Sequence, residues 1–208
     1  EWLDHECAGW VVQNCDWTDN FQRLLIMSGP GIVRGSTFTR MGSNISLNTG
    51  MGLVGGIPSD ITIADNTFID VSMRPHQSAI EVRGHNAKGE DGVPPIERLV
   101  IAGNTFSRSG GPAIKLTGIK DSRIENNRID SPVRATLIAR PADQAERQAI
   151  VMRYSTGVVL KGNALSGQEN ETLPDANSRT PLLGLEATTD ITLDGERLRD
   201  VLAPFLNK

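Results

Sequence analysis

The chain has 208 residues, 38% hydrophobic and 22% charged, with a formal net charge of −4. That length makes one domain or two small ones. No run approaches the ~20 apolar residues of a spanning helix, and an acidic balance lacks the basic face that phosphates need. Neither membrane insertion nor a nucleic-acid partner is therefore expected. Gly 21 and Pro 11 suit a turn-rich β protein. Aromatics are scarce at 4%, and all three tryptophans, Trp2, Trp10 and Trp17, fall within the first seventeen residues.

In chain order, Cys7 and Cys15 come first. Two cysteines form no disulfide framework, and no second Cys/His pair follows at zinc-ligand spacing, so two buried thiols are expected. Residues 10–17 and 31–38 then introduce a pattern that residues 60–68, 98–106, 121–129 and 157–165 repeat in full. A short β run leads to a turn pair, then Asn, one free position and a large apolar residue. Asn66, Asn104, Asn127 and Asn163 hold the Asn position, Cys15 and Ser36 replace it in the first two copies, and Glu196 closes the series in 190–196. A second element recurs between the copies at 79–84, 113–118 and 149–153, more loosely at 23–27 and 44–48. It alternates apolar and polar residues, as a strand with one face inward does. The expected unit is strand, turn with Asn, strand, then a variable loop such as 49–59, 84–96 or 131–148.

A unit repeated with variable loops is a solenoid. Stacked Asn side chains would bond one another and the buried turn backbone, with Phe38, Phe68, Phe106, Ile129 and Leu165 stacked beside them. A leucine-rich repeat fits residues 96–106 but not the Val/Ile/Thr-rich copies, the second strand in place of a helix, or the spacing between copies. The reading is all-β: a right-handed parallel β-helix of about seven coils with an internal Asn ladder. Residues 1–196 form the coils, open to further coils on the N-terminal side, and 197–208 form a C-terminal cap covering the last strand edges.

With this pattern the chain resembles the right-handed parallel β-helix superfamily of polysaccharide-active enzymes, which includes pectate lyases, polygalacturonases and several glycoside hydrolase families. Residues 20–38 are most similar to a coil in the C-terminal half of β-helix glycosidases of the α-1,3-galactosidase kind. The resemblance covers roughly residues 8–196. It implies a secreted or periplasmic protein acting on a polysaccharide or oligosaccharide, most simply by hydrolysis. The loop at 49–58 lacks the Trp and Glu of those enzymes, and Thr18–Asn20 is a poor substitute for their Asp-Asp pair, so their catalytic acids do not carry over.

Stacking the second elements gives two outward columns: Leu25, Ser46, Glu81, Lys115 and Val151 in one, and Met27, Asn48, Arg83, Thr117 and Arg153 in the next. Glu81 is the candidate general acid or base, with Asp70 and His76 as catalytic partners. Arg83, Lys115, Asn48, His85 and Arg153 are candidate substrate-binding residues. The rival reading of Glu81 and Lys115 is a cross-strand ion pair on a solvated face. Asp60, Asp65, Asp121 and Asp190 read as turn residues. No cofactor fingerprint and no metal-ligand set stands out, so none is expected. Three functions follow: a glycoside hydrolase with two carboxylates ~5–9.5 Å apart, a polysaccharide lyase with Arg or Lys replacing the second carboxylate, and a non-catalytic glycan-binding or structural module, which scarce aromatics favour.

Overall fold

The computed structural model describes residues 9–42, 45–49, 57–72, 77–84, 95–130, 148–166, 183–198 and 206–207. Among them there is no helix; every regular element is a strand. The strands build three sheets of nine, six and seven strands. The chain visits the sheets in a fixed cycle: Gly31–Arg34 lies in the first, Thr37–Thr39 in the second and Ile45–Asn48 in the third, after which Ile61–Ala64 returns to the first. Each return pairs parallel to the strand one cycle earlier.

The expected two-strand unit is therefore a three-strand unit. The residues that follow each Asn form a separate three-residue strand, as at Thr67–Ile69, Thr105–Ser107, Arg128–Asp130 and Ala164–Ser166. Three residues are too few to show a strand period in the sequence.

Each sheet turns apolar rows inward. The first stacks Val12, Val33, Ile63, Ile101, Ile124, Leu160 and Leu193 in direct register. The third stacks Ile45, Ile80, Ile114, Ile150 and Leu183, with Leu47, Val82, Leu116, Met152 and Leu185 beside them. The second stacks Trp17, Phe38, Phe68, Phe106, Ile129 and Leu165. Phe38 and Phe68 are parallel with centroids 4.9 Å apart, Phe68 and Phe106 4.8 Å apart, and Trp17 lies 6.1 Å from Phe38. The two Phe–Phe spacings repeat the ~4.8 Å between neighbouring strands, so register alone sets the phenylalanine stack.

Between the first and second sheets the backbone turns inward, where nothing from solvent can satisfy it. The Asn66 amide Nδ2 donates to Asn104 Oδ1 at 3.0 Å and to the Val33 carbonyl at 3.1 Å. Asn104 repeats this toward Asn127 and Ile63, and Asn127 toward Asn163 and Ile101. Each Oδ1 also accepts the backbone N–H of the preceding Asn. Ser36 and Cys15 continue the same line: Ser36 N–H donates to Asn66 Oδ1, and Cys15 N–H to Ser36 Oγ. Cys15 is a free thiol and only half-buried; Cys7 lies outside the described residues.

All three corners place residues in the left-handed region, and these residues also stack. Asn14, Gly35, Asp65, Gly103, Asn126 and Gly162 occupy one corner, all at positive φ. Asx and Gly alternate there for a steric reason. The Asp65 carboxylate oxygen sits where a Cβ of Gly103 would be, and Asn126 does the same at Gly162. A second corner stacks Asp60, Arg98, Asp121, Gly157 and Asp190, so the expected turn aspartates are turn residues. The third stacks Asp19, Arg40, Asp70 and Arg108, again at positive φ, each backbone N–H bonding the next cycle. Beyond Leu193 the parallel order ends. Glu196–Arg197 folds back antiparallel on Thr189–Leu193, and Leu206–Asn207 lies antiparallel to Leu183–Glu186.

Candidate functional site

The outer face of the third sheet carries most of the sequence candidates. Its register is the expected one: Leu25 opposes Ser46, Ser46 opposes Glu81, Glu81 opposes Lys115 and Lys115 opposes Val151. Asn48, Arg83, Thr117 and Arg153 form the parallel row. Met27 lies past the end of its strand, Leu24–Ile26, and joins neither row.

Exposure bears against the rival reading of Glu81 as part of a solvated ion pair. Glu81 is 2% exposed, and Ser46 and Val151 are buried with it. Strand alternation fixes which way a side chain points, but not whether other segments cover that side. Glu81 is therefore no surface ion-pair residue. Its Oε1 accepts a hydrogen bond from Arg83 Nη2 at 2.7 Å. Positions two apart on a strand share a face, so Arg83, half-exposed itself, reaches back along the strand over the carboxylate. Among the described residues, Glu81 Oε2, Ser46 Oγ and Asn48 Oδ1 are buried without a hydrogen-bond partner.

The row ends in a residue that the sequence reading missed. Glu186 opposes Arg153 across the strands, and Arg153 Nε lies 2.8 Å from its carboxylate. The segment 183–186 lacks the Ala-Ile start of its equivalents, so no repeat signal marks it. From Glu81 to the strand of Glu186 is three strand steps, about 14 Å, which exceeds the spacing of a hydrolase carboxylate pair.

Asp70 stands elsewhere, at the corner after the second-sheet strand Thr67–Ile69. Its carboxylate receives Arg108 Nε at 2.6 Å and Nη2 at 2.8 Å. The same bond raises the Arg108 guanidinium further above its ordinary range. His76, His85 and the loop carboxylate Glu90 lie outside the described residues.

One further surface bears on function. A groove of about 490 Å³ lies on the second sheet, lined by Thr105, Phe106, Ser107, Arg128, Asp130 and Ser166. Among the described residues no group of three His, Cys, Asp or Glu is placed to hold a metal ion, and no helix is long and apolar enough to cross a membrane.

Comparison of the chain with protein-family models, with curated proteins and with solved structures found no match in any of the three.

Proposed function

We propose that the three parallel sheets are the walls of a right-handed parallel β-helix of about seven coils, with Asn66, Asn104, Asn127 and Asn163 as its internal ladder. We further propose that it is a carbohydrate-active protein, a glycoside hydrolase or part of one, that binds glycan along the third sheet's outer face. The observation that carries this is the buried carboxyl of Glu81. A strand position pointing away from the core has no packing reason to hold a buried acid, and Arg83 meets only one of its two oxygens. A buried acid with one open oxygen in a polar patch is a candidate for proton transfer.

In this reading Glu81 is the general acid or base at the glycosidic oxygen. Arg83 positions it, and Asn48, Lys115 and Arg153 line the path of the chain. The second carboxylate is assigned to the loop candidate Glu90, since Asp70 is held by Arg108 at a corner of the second sheet; His76 and His85 remain candidates from the sequence. The wide separation of Glu81 and Glu186 favours one rival reading, a glycan-binding module without catalysis.

A reducing-sugar assay on a glycan panel tests the proposal. Hydrolysis of at least one glycan is expected, with a loss of about 10²–10⁴-fold in Glu81→Gln. A glycan that binds but is never cut would establish the module reading instead. Cleavage unaffected by Glu81→Gln would remove Glu81 from the chemistry.

A further inference from the structure

We infer that the third-sheet face selects neutral glycans and rejects uronic-acid polymers, a selection that rests on the glycan-site reading above and names its substrate class. Around Glu81 the open hydrogen-bonding capacity is oxygen: Glu81 Oε2, Asn48 Oδ1 and Ser46 Oγ are buried and unpartnered among the described residues, while farther along the face Arg153 Nε lies 2.8 Å from the Glu186 carboxylate, an ion pair without hydrogen-bond geometry. They share one patch. Ser46 and Glu81 are direct cross-strand neighbours, and Asn48 is two residues beyond Ser46 on the same side of the strand. Two of the three atoms only accept; the hydroxyl does either.

A buried oxygen without a donor costs stability, and three in one patch call for a molecule that brings donors. A neutral sugar brings one per hydroxyl. A uronate carboxylate brings none and needs a free cation. The cations of this face are engaged: Arg83 holds Glu81 at 2.7 Å, Arg153 holds Glu186 at 2.8 Å, and Lys115 also has an interaction partner. A uronate would meet the open oxygen of Glu81, like charge against like, with the nearest guanidinium, Arg83, already bonded to the other oxygen.

The test is calorimetric titration of the full chain with galacto-, manno-, gluco- and xylo-oligosaccharides and with oligogalacturonate. Ser46→Ala and Asn48→Ala are run beside it, with their thermal midpoints. At least one neutral series is expected to bind and oligogalacturonate is not. Each substitution is expected to weaken the neutral ligand about two- to tenfold, while the midpoint stays level or rises, because an unsatisfied group has been removed. Binding of oligogalacturonate alone would overturn the neutral class and leave the glycan site standing. Neutral binding unmoved by both substitutions would assign the oxygens to ordered water and overturn the inference. No binding of any glycan would remove the site itself, and this selection with it.

Discussion

Asn104 shows most directly how one residue type holds this fold. Its side chain is fully buried, and it serves the Asn66 and Asn127 side chains, the Asn66 N–H and the Ile63 carbonyl. Replacing it by Ala strands several buried backbone and amide groups at once. Asn104→Ala is expected to cost roughly 3 kcal/mol or more in chemical denaturation; a loss under about 1 kcal/mol would mean water takes over the bonds. Gly103, the residue before it, has φ +65°, and the Asp65 carboxylate oxygen crowds the place a Cβ would take there. Gly103→Ala is expected to cost at least about 1–2 kcal/mol from the backbone alone. The Asn positions were readable because the residue after next is always large and apolar. The Asx–Gly alternation at the corner was not, because it appears only when residues 21 to 38 apart are stacked.

At the scale of elements, the second sheet depends on its ring stack. Phe68 is flanked on both sides by parallel rings and is fully buried. Phe68→Ala is expected to cost about 3–5 kcal/mol and Phe68→Leu less than half of that, read from the denaturation midpoint. The corner charges are a second element-level device. Asp19 bonds Arg40 and Asp60 bonds Arg98 across successive cycles, and each guanidinium holds its partner carboxyl below the ordinary carboxylate value. A carboxyl with a lowered folded-state pKa binds fewer protons folded than unfolded, so its contribution is present above the unfolded pKa. It is lost as pH falls through the folded one. The combined Asp19→Asn, Asp60→Asn variant is expected to flatten the fall in thermal midpoint below about pH 4, and Asn tolerates the same left-handed backbone. Parallel acid limbs in variant and parent would show that screened, exposed pairs contribute nothing measurable. Asp70 fits this pattern too, alternating with arginines in its column. The sequence grouped it with Glu81 by proximity along the chain, whereas the fold puts it on a corner.

Across the whole molecule, three sheets of parallel strands spend their inward positions on stacking and leave the outward positions to carry chemistry. The columns of the third sheet were legible because alternation sets direction and the repeat sets register. The burial of Glu81 was not, since no pattern within residues 79–84 reports what covers that side. The burial makes the functional claim testable against a purely structural one. Arg83 is half-exposed, so Glu81→Gln leaves no buried unpaired cation behind, and it removes a buried charge that has one unsatisfied oxygen. Its stability is expected to stay within about 1 kcal/mol of the parent. The deciding measurement is the initial rate of reducing-sugar release from a cleaved glycan by parent and Glu81→Gln at equal folded concentration. The account predicts a fall of about 10²-fold or more with folding intact; equal rates, or a loss explained entirely by unfolding, would contradict it.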